Sequence, residues 1–361
     1  MKIAIIGTKG LPATYGGFET FAWNLSRFLI LKGNQVTVVN EKGISTINEI
    51  EGIKILYSKY QKSKNPLKFY YNSLKLVKKH HDIVLVCGVG GAFFYKVING
   101  KAIIVTNVDG LEHLRRKYTL LQRFVVKILQ KASSIFSDYI IADSDQVKIF
   151  WSTNFRKSRN KISSICYGAD IPEKFDSVLL DKYAIFKNQY YLVVARIVPE
   201  NNIKMILDAF SNYRGSKKLV VVGEVNDNNY SKEFATVLNE KINFFGSIYN
   251  KPMLDSLRIN SFAYIHGHSV GGTNPALLEA MACECICLCH DNVFNREVTN
   301  NEQLYFDSSV SLKLLMENLE TMPDLIDYKS KAKSRVIENY SWEQIGNQYV
   351  QLFDLLIKKG K

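Results

Sequence analysis

The sequence lacks any apolar run of the roughly 18 residues that a membrane-spanning helix needs. The nearest candidate, Ile83 to Tyr95, is interrupted by three glycines and stopped by Lys96. The apolar start, Ile3 to Ile6, is too short for a signal peptide and reads as a first strand, so a cytoplasmic protein is expected. Six cysteines fit that compartment. Four of them alternate at Cys283, Cys285, Cys287 and Cys289, just before His290. Residues two apart on a strand line one face and do not wrap a tetrahedral ion. These cysteines therefore read as small buried hydrophobes in a core strand, and no metal site is expected. Also missing is Gly-x-Gly-x-x-Gly in the first turn, which argues against an NAD-dependent enzyme or sugar-nucleotide epimerase. There is no short-period repeat, no low-complexity tract and no nucleic-acid recognition module, so no nucleic-acid partner is expected.

What is present is an ordinary globular composition, 47% apolar and 22% charged, over 361 residues. That length is long for one core, and two domains are expected. Charge is distributed unevenly. Residues 1–176 hold 27 basic and 13 acidic residues, a net of +14, whereas the remainder holds 20 and 21, a net of −1. An excess confined to one half suggests a basic face for a polyanion or an anionic membrane.

Residues 3–6 form a strand that ends in Gly7-Thr8-Lys9-Gly10-Leu11-Pro12. A helical pattern through Phe21, Leu25, Phe28 and Leu29 follows, then a strand at 35–39. Strand, glycine loop, helix and strand open a Rossmann-like unit. Gly16 and Gly17 at the helix start either let backbone approach a ligand or make a tight turn, and Glu19 and Thr20 beside them favour the first. Asp82 to Gly91 is a buried strand entering a glycine loop, and Ala102 to Gly110 repeats the design. Ligands of open α/β sheets bind at such carboxyl ends. Asn107, Asp109 and Glu112 thus stand where chemistry would be, or Asp109-Gly110 is simply a turn. Asp143-Ser144-Asp145 has the spacing of a cation-binding triplet, but helix capping explains it better. Tyr167-Gly168-Ala169-Asp170-Ile171-Pro172 reads as a domain exit.

A second α/β pattern begins with strand 190–195, loop Arg196 to Asn202 and helix 203–210. Further strands are expected at 218–222, 242–247, 262–265 and 284–289. Between the last two lies His266-Gly267-His268-Ser269-Val270-Gly271-Gly272-Thr273-Asn274-Pro275, which opens a helix containing Glu279. Asn is a favoured N-cap and Pro suits the first helical position. Such a helix end points N–H groups and a partial positive charge at its glycine loop, which suits a diphosphate. A capped turn without ligand accounts for the same residues, except the two histidines and Glu279. Two such halves imply a cleft between them, with Arg196 placed for bidentate contact to a diphosphate.

The excess cations lie on amphipathic stretches. Four lysines fall between Lys59 and Lys68, followed by Lys75, Lys78 and Lys79. Arg115-Arg116-Lys117 precedes an apolar stripe of Leu120, Leu121, Phe124, Val125, Ile128 and Leu129, interleaved with Arg123, Lys127 and Lys131. This is either a core-packed helix with a solvated face or a membrane-surface helix. Lys75, Lys78, Lys79, Arg115 and Arg116 are the expected membrane and acceptor patch.

Taken together, Tyr15 to Thr20, Tyr167 to Asp170, Ala195 to Glu200, Phe245-Gly246, Pro275 to Met281 and Tyr340 to Glu343 resemble glycosyltransferase family 4, the retaining GT-B enzymes. The resemblance covers nearly the whole chain. Ile6 to Pro12 and Asn107 to Glu112 look like a bacterial branch that includes rhamnosyltransferases of surface-polysaccharide synthesis. This implies an α/β GT-B fold, with an acceptor-binding domain at 1–172 and a donor-binding domain at 173–340. A terminal helix at 341–361 would pack back onto the first. It implies transfer with retention from a nucleotide sugar, dTDP-L-rhamnose, onto a lipid-linked saccharide of capsule, O-antigen or cell-wall polysaccharide. The enzyme would need no metal or other cofactor and would sit on the inner face of the plasma membrane.

The same resemblance assigns Arg196, Gly272 and Thr273 to the phosphates and Glu279 to the nucleoside sugar. His266 and His268 would lie near the transferred sugar, and Asp109 near the reacting carbon. Gly16, Gly17, Asn201, Gly246, Gly271 and Asn274 complete the donor-binding set. Two departures matter. Gly271 stands where the wider family has a sugar-contacting Glu, and Asn201 stands where it has a Lys, which puts UDP-glucose-type donors in doubt. A UDP-hexose or UDP-N-acetylhexosamine transferase is the alternative, followed by a non-catalytic protein that binds polyanions or membranes.

Overall fold

The computed structural model describes residues 1–12, 16–44, 46–115, 118–172, 185–225, 230, 234 and 240–360. The chain divides into two compact units. The first comprises Met1–Leu114, Tyr118–Gly168 and Trp342–Lys361, the second Arg115–Lys117 and Ala169–Ser341. The chain thus leaves the first unit at Gly168, four residues before the border read from sequence, and the segment 173–184 just beyond that border lies outside the described residues.

The first unit is built on a sheet of eight strands: β1 (Lys2–Ile6), β2 (Gln35–Asn40), β3 (Glu49–Ile50), β4 (Ile53–Tyr57), β5 (Ile83–Cys87), β6 (Ile103–Asn107), β7 (Tyr139–Ala142) and β8 (Ile162–Ser164). Their order is β3-β4-β2-β1-β5-β6-β7-β8, parallel throughout except for the β3–β4 edge hairpin. β5 is buried at every position, as expected of a central parallel strand covered on both faces. Helices α1 (Gly17–Leu31), α2 (Pro66–Val77), α3 (Leu120–Phe136) and α4 (Asp145–Asn154) belong to this unit. At α4, Ser144 is the N-cap and accepts from Val147 N at 3.2 Å, which is the capping reading of the Asp-Ser-Asp triplet.

The second unit has six parallel strands: β9 (Tyr190–Val194), β10 (Lys218–Val222), β11 (Ile242–Phe244), β12 (Ala263–His266), β13 (Cys287–His290) and β14 (Leu304–Phe306), in the order β11-β10-β9-β12-β13-β14. Among the described residues its helices include α5 (Ile203–Ser211), α6 (Lys251–Asn260), α7 (Pro275–Ala282), α8 (Val293–Thr299), α9 (Ser309–Leu319) and α10 (Ile326–Asn339). α11 (Trp342–Gly360) returns to the first unit, where it packs on α1. Each unit is therefore a mixed α/β, Rossmann-like layer structure.

One strand expectation needs correction. The run 284–289 does not form a strand from its start; β13 begins at Cys287. Cys283 caps α7, and Glu284 takes a left-handed φ of 58° that turns the chain out of the helix. Alternation across Cys283 to Cys289 therefore does not mark one face of a strand. Cys283, Cys285, Cys287 and Cys289 are all buried, and only the last two lie in the sheet.

α11 and α1 approach closely because Gly346 faces Phe28, whose ring a Cβ at 346 would overlap. Gly346→Leu is expected to destabilise the first unit by about 1–3 kcal/mol, the usual cost of overpacking. Urea unfolding read against wild type checks this, and an unchanged midpoint would show that the two helices separate freely.

Candidate functional site

At the carboxyl ends of β9 and β12, adjacent strands in register at Ala263–Tyr191 and Tyr264–Leu192, two loops are tied together. The loop after β9 carries Arg196 and closes in a 3-10 turn over Pro199–Asn201. The loop after β12 carries His268 to Asn274. Ser269 donates from its N–H at 2.9 Å and its hydroxyl at 3.0 Å to the carbonyl of Glu200. Asn202 Nδ2 donates to Gly267 O at 2.8 Å. Asn201 Nδ2 donates to Arg196 O at 2.7 Å, while its Oδ1 meets His268 Nδ1 at 2.7 Å. Gly267 is required here, because a Cβ would collide with the backbone carbonyl of Asn201. Asn201 thus engages both ends of its amide with protein groups.

From the neighbouring strands, Gly246 (φ +67°) accepts from Gly223 N at 2.8 Å, and Gly223 in turn abuts the Ala195 carbonyl. On the other side, Asn292 and Asn295 donate from their side chains to His268 O at 3.1 and 2.9 Å. These asparagines were not read as site residues; no motif marks them, and only their place after β13 does. The guanidinium of Arg196 is exposed and has no hydrogen-bond partner among the described residues.

Gly271 has φ +108°, a backbone conformation that strains any L side chain. The missing carboxylate at this position thus has a conformational correlate: a Glu could not adopt this loop without cost. Gly271, Gly272 and Thr273 are buried. Asn274 caps α7, accepting from Ala276 N at 2.9 Å, with Pro275 opening the helix. One turn on, Glu279 Oε2 is paired with Arg258 Nη2 of α6. Arg258 is almost fully buried and also reaches Asp255 Oδ1 at 3.2 Å. Burial opposes its charge, but the carboxylates of Glu279 and Asp255 more than offset that and raise its pKa. Losing one partner of such a pair, with Arg258 buried, costs about 3–5 kcal/mol. Arg258 was missed in the sequence because an Asp-x-x-Arg spacing on a helix has no signature of its own.

His268 is pushed down to about 4, first by burial and then by the charges of Arg115 and Arg196. It is a neutral imidazole at pH 7. His266 is more deeply placed, with its ring stacked on Tyr264 at 6.0 Å, and burial holds its pKa well below the usual range. Its Nε2 is buried without a hydrogen-bond partner among the described residues, at a position expected near the transferred sugar.

The first unit has its own loops at strand ends. Gly16 (φ +119°) precedes α1, where a Cβ would meet the carboxylate of Glu19, and Gly17 opens the helix exposed to solvent. Glu19 Oε1 accepts from Lys9 N at 2.7 Å, so this carboxylate holds the loop after β1. Asp109 has φ +57° and receives a hydrogen bond from Tyr167 OH at 3.1 Å, while its N–H donates to Asn107 Oδ1 at 3.0 Å. Tyr167, expected only as part of a domain exit, is thus a hydrogen-bond partner of Asp109. The residues of the expected basic patch differ in exposure. Lys75 and Lys79 are exposed, but Lys78 is buried, its ammonium donating to the carbonyls of Tyr95 and Ile98, and burial lowers its pKa. Arg115 groups with the second unit near His268, and Arg116 lies outside the described residues, as does Tyr15. No group of three or more metal-ligating side chains occurs among the described residues.

A histidine whose folded pKa lies below its unfolded value makes stability fall as pH drops from about 6.5 through its folded pKa, because the unfolded chain takes the proton first. His268 sets that window between about 6.5 and about 4. Thermal melts between pH 7 and pH 4 should show a shallower acid loss for His268→Gln than for wild type. Parallel slopes would mean that the imidazole is not held neutral.

Residues 179–333 match the family model of Glycosyl transferases group 1, and this segment lies in the second unit, which carries the locked loops. No curated protein matches the chain by sequence. Among solved structures the chain is similar to sucrose-phosphate synthase from Thermosynechococcus elongatus, at 15% identity over 99% of each chain with a TM-score of 0.85. It is also similar to Anabaena HepE in complex with UDP-glucose, at 14% identity over 98% of this chain and 99% of that chain with a TM-score of 0.78. A third is the catalytic domain of starch synthase IV from Arabidopsis thaliana bound to ADP and acarbose, at 13% identity over 99% of each chain with a TM-score of 0.74. Identities this low speak for the fold alone. The two Rossmann-like units share the GT-B fold of these structures, and the second contains the segment that matches the group 1 glycosyl transferase model.

Proposed function

We propose that the protein is a retaining glycosyltransferase that moves L-rhamnose from dTDP-L-rhamnose onto a lipid-linked saccharide acceptor of surface-polysaccharide synthesis. The observation that carries the transferase reading is that the group 1 match falls on the unit where loops 196–202 and 267–274 are locked at adjacent strand ends. In this reading Arg196 and the N-terminus of α7, with Gly272 and Thr273, take the negative charge that builds on the leaving diphosphate. That assignment leaves no role for a metal ion. Glu279, with Oε2 on Arg258, keeps Oε1 for a hydroxyl of the nucleoside sugar. His268, neutral, is a hydrogen-bonding group beside the diphosphate and not a proton store. Asp109, held by Tyr167, positions the acceptor hydroxyl by accepting from it.

The rhamnose assignment rests on the resemblance of Ile6 to Pro12 and Asn107 to Glu112 to the rhamnosyltransferase branch, and Gly271 and Asn201, where the wider family has a carboxylate and a cation, speak against a UDP-glucose-type donor. A UDP-sugar donor is the second reading, favoured by the UDP-glucose complex of the similar Anabaena HepE.

A ligand that binds only the native state raises the melting point. A thermal-shift panel should therefore show stabilisation by dTDP and dTDP-L-rhamnose that Arg196→Ala weakens by about tenfold or more in affinity, as expected when a charged hydrogen-bond donor is lost. Stabilisation by UDP-sugars alone would overturn the donor; an unaltered response of Arg196→Ala would overturn the site.

A further inference from the structure

Helix α3 leaves its apolar residues open. The residues it buries are polar or small and fall in its C-terminal half: Gln130, Ala132, Ser133 and Ser134. Its N-terminal half carries Leu120, Leu121, Phe124, Val125 and Ile128, which are 81, 73, 61, 46 and 42% exposed. The helix start is well formed, since Thr119 and Gln122 make a capping box, so these residues do not belong to a frayed end. α3 packs against the 3-10 turn Ala92–Phe94, which packs against α2. Those neighbours continue the theme, with Phe93, Val97, Leu67 and Tyr71 all exposed. The same elements carry exposed cations: Lys127 and Lys131 on α3, Lys68 and Lys75 on α2, and Lys96 just after the turn.

We propose that this face docks on an anionic lipid bilayer, with α3 lying in the plane of the interface. Leu121, Phe124 and Ile128 would reach below the headgroups while the lysines meet lipid phosphates and other anionic headgroups. Charge selects the bilayer. The surface belongs to the half of the chain whose net charge is +14, so a second copy seated on it would set like charges against each other. Exposed apolar residues and lysines on the same elements match a surface that is negative outside and apolar beneath. Lys78, buried, takes no part, and the docking residues are the exposed ones that the sequence also permits to be core.

Flotation of the full-length protein tests the proposal, with vesicles of phosphatidylcholine alone or containing about one third phosphatidylglycerol. The protein should float with the anionic vesicles, and the double variant Leu121→Glu/Phe124→Glu should lose at least about tenfold in partitioning at an unchanged melting temperature. Lys127→Ser/Lys131→Ser should shift binding to lower salt. Three results would overturn the idea: no flotation of wild type, equal flotation of the Glu variant, or a dimer in sedimentation velocity that the Glu variant abolishes. Donor is absent from these measurements, so they fail or succeed independently of the transferase reading.

Discussion

The candidate site of the second unit depends on the hydrogen bonds that join the loop after β9 to the loop after β12. The loop after β12 is rich in Gly, Asn and Ser, and the loop after β9 anchors only Ile197 in the core, so apolar burial alone does not fix their shapes. Backbone carbonyls of Arg196, Glu200 and Gly267 take side-chain donors from the opposite loop or from within their own. Two asparagines and a serine therefore do the work of a hydrophobic core in miniature. Buried polar groups that are all paired rigidify a site, and the same groups left half paired would unsettle it. The replacement of a Lys by Asn201 fits this scheme: an amide both donates and accepts, so it can bridge two loops where an ammonium can only donate.

Electrostatics in this unit follow from that locking. With Arg196 and Arg115 both close enough to depress His268, the neighbourhood is positive, although the unit as a whole is nearly neutral. Local field and net charge thus tell different stories. The first unit shows the converse, where a large net charge is not concentrated in the patch that a reading by sequence spacing assembles. Lys78 spends its charge on two carbonyls of its own fold, Arg115 sits with the other unit, and Lys75 and Lys79 remain on the surface.

Periodicity made most of the parallel strands readable, because strands buried on both faces are continuous apolar runs such as Ile83–Cys87. It could not show the two-residue strand β3, which has no room for a pattern, or the start of β13, where a left-handed Glu284 interrupts an alternation of cysteines. Glycines and caps were legible for local reasons: Gly271, Asn274 and Pro275 are dictated by the backbone they occupy. Partners across the fold were not. Nothing in the spacing joins Asn201 to His268, Tyr167 to Asp109 or Arg258 to Glu279, since each pair is brought together by sheet order. Nor could periodicity tell which face of α3 turns inward, because a stripe of leucines looks the same whether the core or a bilayer receives it.

The buried arginine behind Glu279 has a consequence for how this protein could change. Position 279 is not an independent letter: removing its carboxylate would leave Arg258 inside the fold with Asp255 as its remaining carboxylate partner among the described residues. Substitutions that alter what residue 279 recognises must then arrive together with a change at 258, or pass through a less stable intermediate. The lineage of this chain is held at that position by folding as well as by whatever it binds.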